Sequence, residues 1–336
     1  MRINYIVSFK KQVRTMGEDI NLKSRTQNVK FNKATPSKHS TLFRTSKAQL
    51  LASVKKLKSN EYTFIGMGDG WAGNGQASNA IFGSVLSAIR NLKKKPLFIL
   101  HNGDAVFTGS DQEFKTGGTY SGVPVKSLLQ LIKDPNKGVP DIPFFIVPGN
   151  HEHTGINGPL TNFRKYIGPA HFGINLPKIK TTIIGLNNSQ QIGTDSNGQT
   201  IYGFAPGELA FLRNHLKKAQ KNTLLTMHVA PRIGKWANPR YFQDPTSTFG
   251  NARGQLTRFL STVRGKVPQV LMGHVHALDQ LTFQGTKYTI SGGAGAPLVK
   301  KGFLKGAPTP IFHMIEFTVK CGVIVKRRVI PVGDTA

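Results

Sequence analysis

Phe144-Phe145-Ile146-Val147-Pro148-Gly149-Asn150-His151-Glu152 is an apolar run that opens directly into a neutral amide, an imidazole and a carboxylate. The apolar part reads as a buried strand, and Pro148-Gly149 ends it, so the three polar side chains stand where the strand runs out. Four more runs stop in the same manner: Phe64 to Asp69, Leu97 to Asp104, Leu224 to His228 and Val270 to His276. Strands that each end in Asp, Asn or His put the chemistry at strand ends, and the fold must bring those ends together.

Between these runs the apolar period changes from two to 3.6. Ala80 to Leu92, Val125 to Ile132, Pro206 to about Ala219 and the segment carrying Leu256, Phe259, Leu260 and Val263 read as amphipathic helices. Strands are also expected at Thr181 to Leu186 and Thr223 to His228. After His276 the chain alternates as antiparallel strands over Gln280–Gln284, Lys287–Ser291, Phe312–Lys320 and Val323–Val329. Strands alternating with helices and then closing strands imply an α/β fold, a layered sandwich of two central mixed β-sheets flanked by helices. Two regions are expected: a loosely ordered basic N-terminal arm over residues 1–60, helical toward Lys47–Val54, and a catalytic domain over residues 61–336.

The 336 residues carry 45 Lys+Arg against 16 Asp+Glu, a formal charge of +29. Such a surplus points to a polyanionic partner, nucleic acid or anionic lipid, or to an anionic substrate. The single cysteine, Cys321, excludes an internal disulfide framework and a cysteine-rich zinc site. No apolar run reaches the roughly 20 residues of a membrane helix, and Tyr5-Ile6-Val7 is too short for a signal-peptide core, so a soluble, cytoplasmic protein is expected.

Asp69, Asp104, Asn150, His228, His274 and His276 form a mixed nitrogen and oxygen donor set suited to zinc, iron or manganese. On an extended segment His274 and His276 face the same way, so one strand end can offer both. Two metal ions a few Å apart would bind a phosphate, lower the pKa of a water between them and steady the entering and leaving oxygens. Each residue also has a plainer reading: Gly-Asp marks turns, a lone histidine is often a core residue and Asn caps turns. Six such turns in one order favour the metal site. Gly66-Met67-Gly68-Asp69-Gly70-Trp71 invites a dinucleotide reading, which fails because Trp71 stands where a third glycine is needed.

The series Gly68-Asp69, Gly103-Asp104, Gly149-Asn150-His151-Glu152, His228 and Gly273-His274-Val275-His276 resembles the calcineurin-like metallophosphoesterase superfamily. Ser291 to Pro297 is similar to the purple-acid-phosphatase-like branch. The resemblance implies Asp104 as a bridging ligand, Asp69 and His276 on one metal, Asn150, His228 and His274 on the other, and His151 as the residue that contacts phosphate and protonates the leaving group. It also implies a dimetal phosphomonoesterase or phosphodiesterase that uses metal-activated hydroxide. Two positions depart from the pattern: Trp71 replaces a frequent histidine ligand, and Phe107 replaces the tyrosine of the purple enzymes, so no tyrosinate colour is expected. His153 and Arg232 are candidate substrate contacts, and His101 is a residue behind the ligands or in the core. The alternative is a basic polyanion-binding or nucleic-acid-binding protein that keeps the fold with weak or no catalysis, the substrate in the first case being a phosphate ester, nucleotide or nucleic acid.

Overall fold

The computed structural model describes residues 41–333 apart from 154–157, 195–196, 237–240, 244–253 and 301–307. Most of the basic arm therefore lies outside the described residues. The chain runs through α1 (Leu42–Lys56), β1 (Glu61–Met67), α2 (Gln76–Arg90), β2 (Ile99–His101), β3 (Gly118–Tyr120), β4 (Val123–Val125), α3 (Leu128–Ile132) and β5 (Phe144–Ile146). It continues through β6 (Phe172–Leu176), β7 (Thr181–Gly185), β8 (Gln190–Thr194), β9 (Thr200–Gly203), α4 (Glu208–Leu216), β10 (Asn222–Thr226), α5 (Gln255–Val263) and β11 (Gln269–Met272). The closing strands are β12 (Leu278–Phe283), β13 (Thr286–Ser291), β14 (His313–Lys320) and β15 (Val323–Pro331).

Two mixed sheets result, one in the order β15-β14-β1-β2-β5 and one in the order β12-β13-β11-β10-β7-β6. The period-2 pattern of each strand splits its apolar side chains between two cores. Phe64, Leu100, Phe145, Leu224, Leu271 and Phe317 fill the space between the sheets. There Phe64 stacks on Phe317 with centroids 4.8 Å apart. The alternate residues Ile65, Met67 and Ile99 face out and meet α2 through Phe82, Val85 and Leu86. On the other sheet Leu225, Met227 and Val270 meet Leu212 of α4 and Phe259 of α5. Helix, sheet, sheet, helix is the layering expected from the sequence.

Two expectations need correction. Residues 42–56, assigned to the arm, belong to the packed body: Thr41 Oγ1 caps α1, Leu50 and Val54 are buried, and Ser46 Oγ accepts the Phe144 N–H at 2.9 Å. Val125 does not begin a helix. It ends the β3–β4 hairpin, and α3 starts after Ser127, where Ser127 Oγ accepts from Gln130 N and Gln130 Oε1 from Ser127 N. The four closing strands pair as antiparallel hairpins, as expected, and divide between the sheets: β12 and β13 extend the second, with β13 parallel to β11, whereas β14 and β15 close the first. Beyond these, the hairpins β3–β4 and β8–β9 and the strand β6 were not foreseen.

Helix α4 is fixed at its start by Glu208, whose Oε1 accepts from His171 Nδ1 at 2.7 Å and whose Oε2 accepts from Asn187 N at 3.0 Å. The hydrogen bond to Glu208 raises the His171 pKa, and burial raises that of Glu208. A histidine whose folded pKa lies above its unfolded value stabilises fully below about pH 6.5, and that contribution fades as pH rises through the folded value. The gap in urea midpoint between the parent and His171→Ala is thus expected to be wider at about pH 6 than at about pH 9. An unchanged gap would show that folding does not shift the His171 pKa.

Candidate metal centre

The C-terminal ends of the parallel strands β1, β2, β5, β10 and β11 carry Asp69, Asp104, Asn150, His228 and His274 to one place. Asp104, His228 and His274 offer ligand atoms all within 4.8 Å of one another, and so do Asp69, Asp104 and His276. Asp104 is common to both groups. His228 Nε2 lies 3.0 Å from Asn150 Oδ1 and 3.2 Å from Asp104 Oδ2, and Asn150 Oδ1 lies 2.9 Å from His274 Nδ1. His276 Nε2 lies 3.5 Å from Asp69 Oδ1. All six residues expected to hold metal are brought together.

The histidine rings are oriented from behind. His228 Nδ1–H donates to Asn102 O at 2.8 Å, His276 Nδ1–H to Pro297 O at 2.7 Å, and His151 Nδ1–H to Phe107 O at 2.7 Å. With each proton committed there, the Nε2 lone pairs turn inward, as metal-binding imidazoles require. His228 Nε2 then confronts the oxygens of Asn150 and Asp104, acceptor against acceptor, an arrangement that either a proton or a cation must relieve. The charges say the same. Burial raises Asp69 well above the usual carboxylate range, with Asp104 adding to the shift and His228 opposing it. Burial also pushes Asp104 up, but His228 and His151 pull it below that range. His228, lowered by burial, is lifted by Asp104 and Asp69 to about 9. The donor set fits divalent cations by type, spacing and charge.

Glu152 supports this cluster and was given no role from sequence. It is fully buried, and its carboxylate accepts N–H groups from Asp104 at 2.8 Å, Val106 at 3.1 Å and Gly149 at 2.5 Å. Burial and the Asp104 charge raise it to about 7. Asn102 ties the two sheets together, since its Oδ1 accepts from Thr226 Oγ1 at 2.9 Å and its Nδ2 donates to Met272 O at 3.2 Å. Asn188 Oδ1 holds the His228 and Val229 N–H groups at 2.9 and 3.0 Å. The ligand loops are also strained: Asp69, Trp71, Asp104 and His274 have φ of 60°, 48°, 52° and 69°, the left-handed region that L residues rarely adopt.

The cluster forms the floor of a cleft of about 360 Å³. Trp71 and His151 stand on one side; Gln199, Thr200 and Tyr202 from the β8–β9 hairpin also line it. The His151 ring stacks on Phe107 with centroids 4.9 Å apart and meets Trp71 at 5.0 Å, and Trp71 meets the His276 ring edge-on at 5.1 Å. Trp71 thus fills the place of the missing histidine ligand as a wall. The hairpin's one sequence signal was Asn197-Gly198 between two short alternating runs.

Three further candidates fall elsewhere. Arg232 is exposed and outside the cleft lining, its guanidinium against Gln243 and its N–H on Phe242 O at 2.7 Å. His153 is buried, with Nδ1–H on Gly158 O at 2.6 Å, and does not line the cleft. His101 is fully buried between Phe82 and Phe144, and burial lowers its pKa to about 3, so it is a neutral core residue.

A probable glycerophosphodiester phosphodiesterase GpdQ of Arcobacter nitrofigilis is 26% identical to this chain over 206 residues, which make up 60% of the chain and 63% of that protein. The chain therefore spans less than two thirds of that relative's length. Among solved structures, a dimetal phosphatase from Danio rerio is similar with a TM-score of 0.49 at 14% identity, over 81% of this chain and 99% of that one. The family model for calcineurin-like phosphoesterases matches residues 71–278, a span that holds every ligand candidate except Asp69. On that match, which covers well over half its length, the chain belongs to the calcineurin-like phosphoesterase family.

Proposed function

We infer that this chain hydrolyses phosphodiesters of small polar alcohols with the help of two metal ions. The observation that carries this reading is Asp104, a fully buried carboxylate shared by two ligand groups. Asp69 and His276 complete one group, and Asn150, His228 and His274 the other. Divalent cations held there would activate water and neutralise charge on the phosphate. His151, clamped through Nδ1 by Phe107 O and by the Trp71 and Phe107 rings, keeps Nε2 available for moving a proton to the departing oxygen.

The walls support a diester over a monoester. No Lys or Arg lines the cleft among the described residues, despite the charge of the chain. A diester brings one negative charge where a monoester brings two, and Gln199, Thr200 and Tyr202 offer neutral polar contacts to its alcohols. The activity named for the Arcobacter relative agrees with this reading. Among the described residues a nuclease reading finds no cationic groove at the cleft, and the phosphomonoesterase reading no arginine fork. Membership of the purple-acid-phosphatase-like branch rests on the sequence similarity of Ser291 to Pro297, a loop held against the ligand strand by Ala294 and Ala296, which donate to the Gly68 and Asp69 carbonyls at 3.0 and 2.8 Å.

Metal-stripped protein re-supplied with manganese, zinc or iron is expected to turn over bis(4-nitrophenyl) phosphate with kcat/KM roughly tenfold or more above that for 4-nitrophenyl phosphate. Preference for the monoester would overturn the diester assignment alone. Absence of turnover with every metal would overturn the enzyme reading.

A further inference from the structure

The surplus charge is not mainly in the arm. Residues 1–40 hold nine of the 45 Lys+Arg and two of the 16 Asp+Glu, so most of the imbalance belongs to the packed body. Among the described residues the five accessible carboxylates each lie against a cation: Glu61 on Lys94, Asp141 on Lys95, Asp134 on Lys126, Asp111 on Lys165 and Glu316 on Arg328. What remains uncompensated on the described surface is positive.

Several of those positive groups lie at one end. Because the C-terminal ends of the parallel strands converge on the metal centre, their N-terminal ends lie on the opposite side of the sandwich. Both sheets meet there through Tyr62 and Thr181, whose hydroxyls are 2.6 Å apart, and through Asn222 Nδ2, which donates to Tyr62 at 3.2 Å. Lys178 Nζ donates to Lys55 O at 2.7 Å, joining the end of α1 to the same edge. The loops entering the strands carry exposed Lys93 before β2, Lys180 before β7, Lys218 and Lys221 before β10 and Lys266 before β11, while Lys320 at the end of β14 stands in register with Glu61, which Lys94 already holds. Among the described residues the metal cleft, by contrast, is lined by no Lys or Arg. An anion held at this end would lie on the far side of the sandwich from the metal centre.

We propose that this lysine-rich end docks on an anionic lipid bilayer. Nucleic acid is read by arginine forks and by bases stacked on aromatic rings. Here the cations are lysines, with Arg264 the exception in these loops, and the exposed large aromatic among the described residues, Tyr120, sits on the β3–β4 hairpin beside Gly75. The exposed large apolar groups near the lysines are aliphatic: Leu51, one helical turn before Lys55, and Val323, three residues after Lys320. Lysines with interspersed aliphatic side chains suit a headgroup layer, where ammonium groups meet lipid phosphates and short apolar chains enter the interface. No helix among the described residues is long and apolar enough to cross a membrane, so contact is with the surface. Docked this way, the chain turns its metal cleft toward water, and substrate arrives from solution.

The test is sedimentation of the full chain with vesicles of phosphatidylcholine alone or mixed with phosphatidylserine, at about 0.1 M and about 0.5 M NaCl. Binding is expected to the mixed vesicles, to be lost at the higher salt, and to weaken roughly tenfold or more in Lys180→Gln/Lys218→Gln/Lys221→Gln. The control Lys115→Gln/Lys165→Gln/Lys300→Gln, with the same charge removed elsewhere, is expected to bind like the parent. The arm is present in all three proteins and does not affect the comparison. Equal loss in both variants, equal binding to neutral vesicles, or binding of duplex DNA without binding of vesicles would each overturn the proposal. These readouts do not involve hydrolysis, so they stand apart from the diesterase reading.

Discussion

Asp104→Asn is expected to lower metal-supported hydrolysis about a thousandfold or more, and to drop bound metal from two ions per chain toward one or none. Asp104 is the only carboxylate in both ligand groups, and it also accepts the His151 N–H at 3.0 Å. Asn keeps the size and tolerates the left-handed backbone at this position, where φ is 52°. What it removes is one charge from a site built to hold cations, together with one of two equivalent oxygens. Metal analysis by mass spectrometry and kcat measured on the folded variant check both halves. A variant that keeps both ions and a tenth of the activity would remove Asp104 from the shared position.

Gly149→Ala is expected to cost about 3 kcal/mol or more of stability and most of the metal binding. A Cβ at this position would overlap Asp104 Oδ1 and the Asp104 backbone N, and the latter cannot swing aside as a flexible side chain can. Moving either strand end would also pull Gly149 N from Glu152, which holds both loops. Gly83→Ala in α2 is the control, since a Cβ there meets nothing within 4 Å, and Ala is expected to add about 0.5–1 kcal/mol of helix stability. Urea midpoints measured side by side decide the matter. If the two substitutions shift stability in the same direction, close packing at the strand ends is not what fixes Asp104.

The six candidate ligands were legible because the chemistry coincides with the place where each apolar run stops. Asp69, Asp104, Asn150 and His228 announce themselves as polar side chains closing buried strands; His274 and His276 were expected to share a face of an extended segment, but both lie past the end of β11, where His274 has φ of 69°, and a turn brings the two rings to the site. Glu152 stood in the same motif, yet its task of gathering N–H groups from Asp104 and Val106 depends on a loop 46 to 48 residues away. Asn102 and Asn188 were silent for the same reason: the first serves His228 through a backbone carbonyl, the second through backbone N–H groups. Arg232 misled because nearness in sequence to His228 was taken for nearness in space, and the chain turns away at Pro231 to pair with Phe242. The boundary at residue 60 failed on composition. The lysines of α1 hide a buried stripe of Ser46, Leu50 and Val54, whose spacing of four is that of a packed helix.

The left-handed backbone at Asp69, Asp104 and His274 sets fitness for folding against fitness for turnover. Glycine relieves such torsions, and at 69 it also removes a carboxylate that burial holds well above its usual range, whereas at 104 it would strip His228 of its partner. In a randomised library selected for solubility alone, glycine should therefore accumulate at codons 69 and 274, while selection for hydrolysis should purge it from both. The divergence between those two enrichment profiles would map the catalytic centre without any substrate being named in advance.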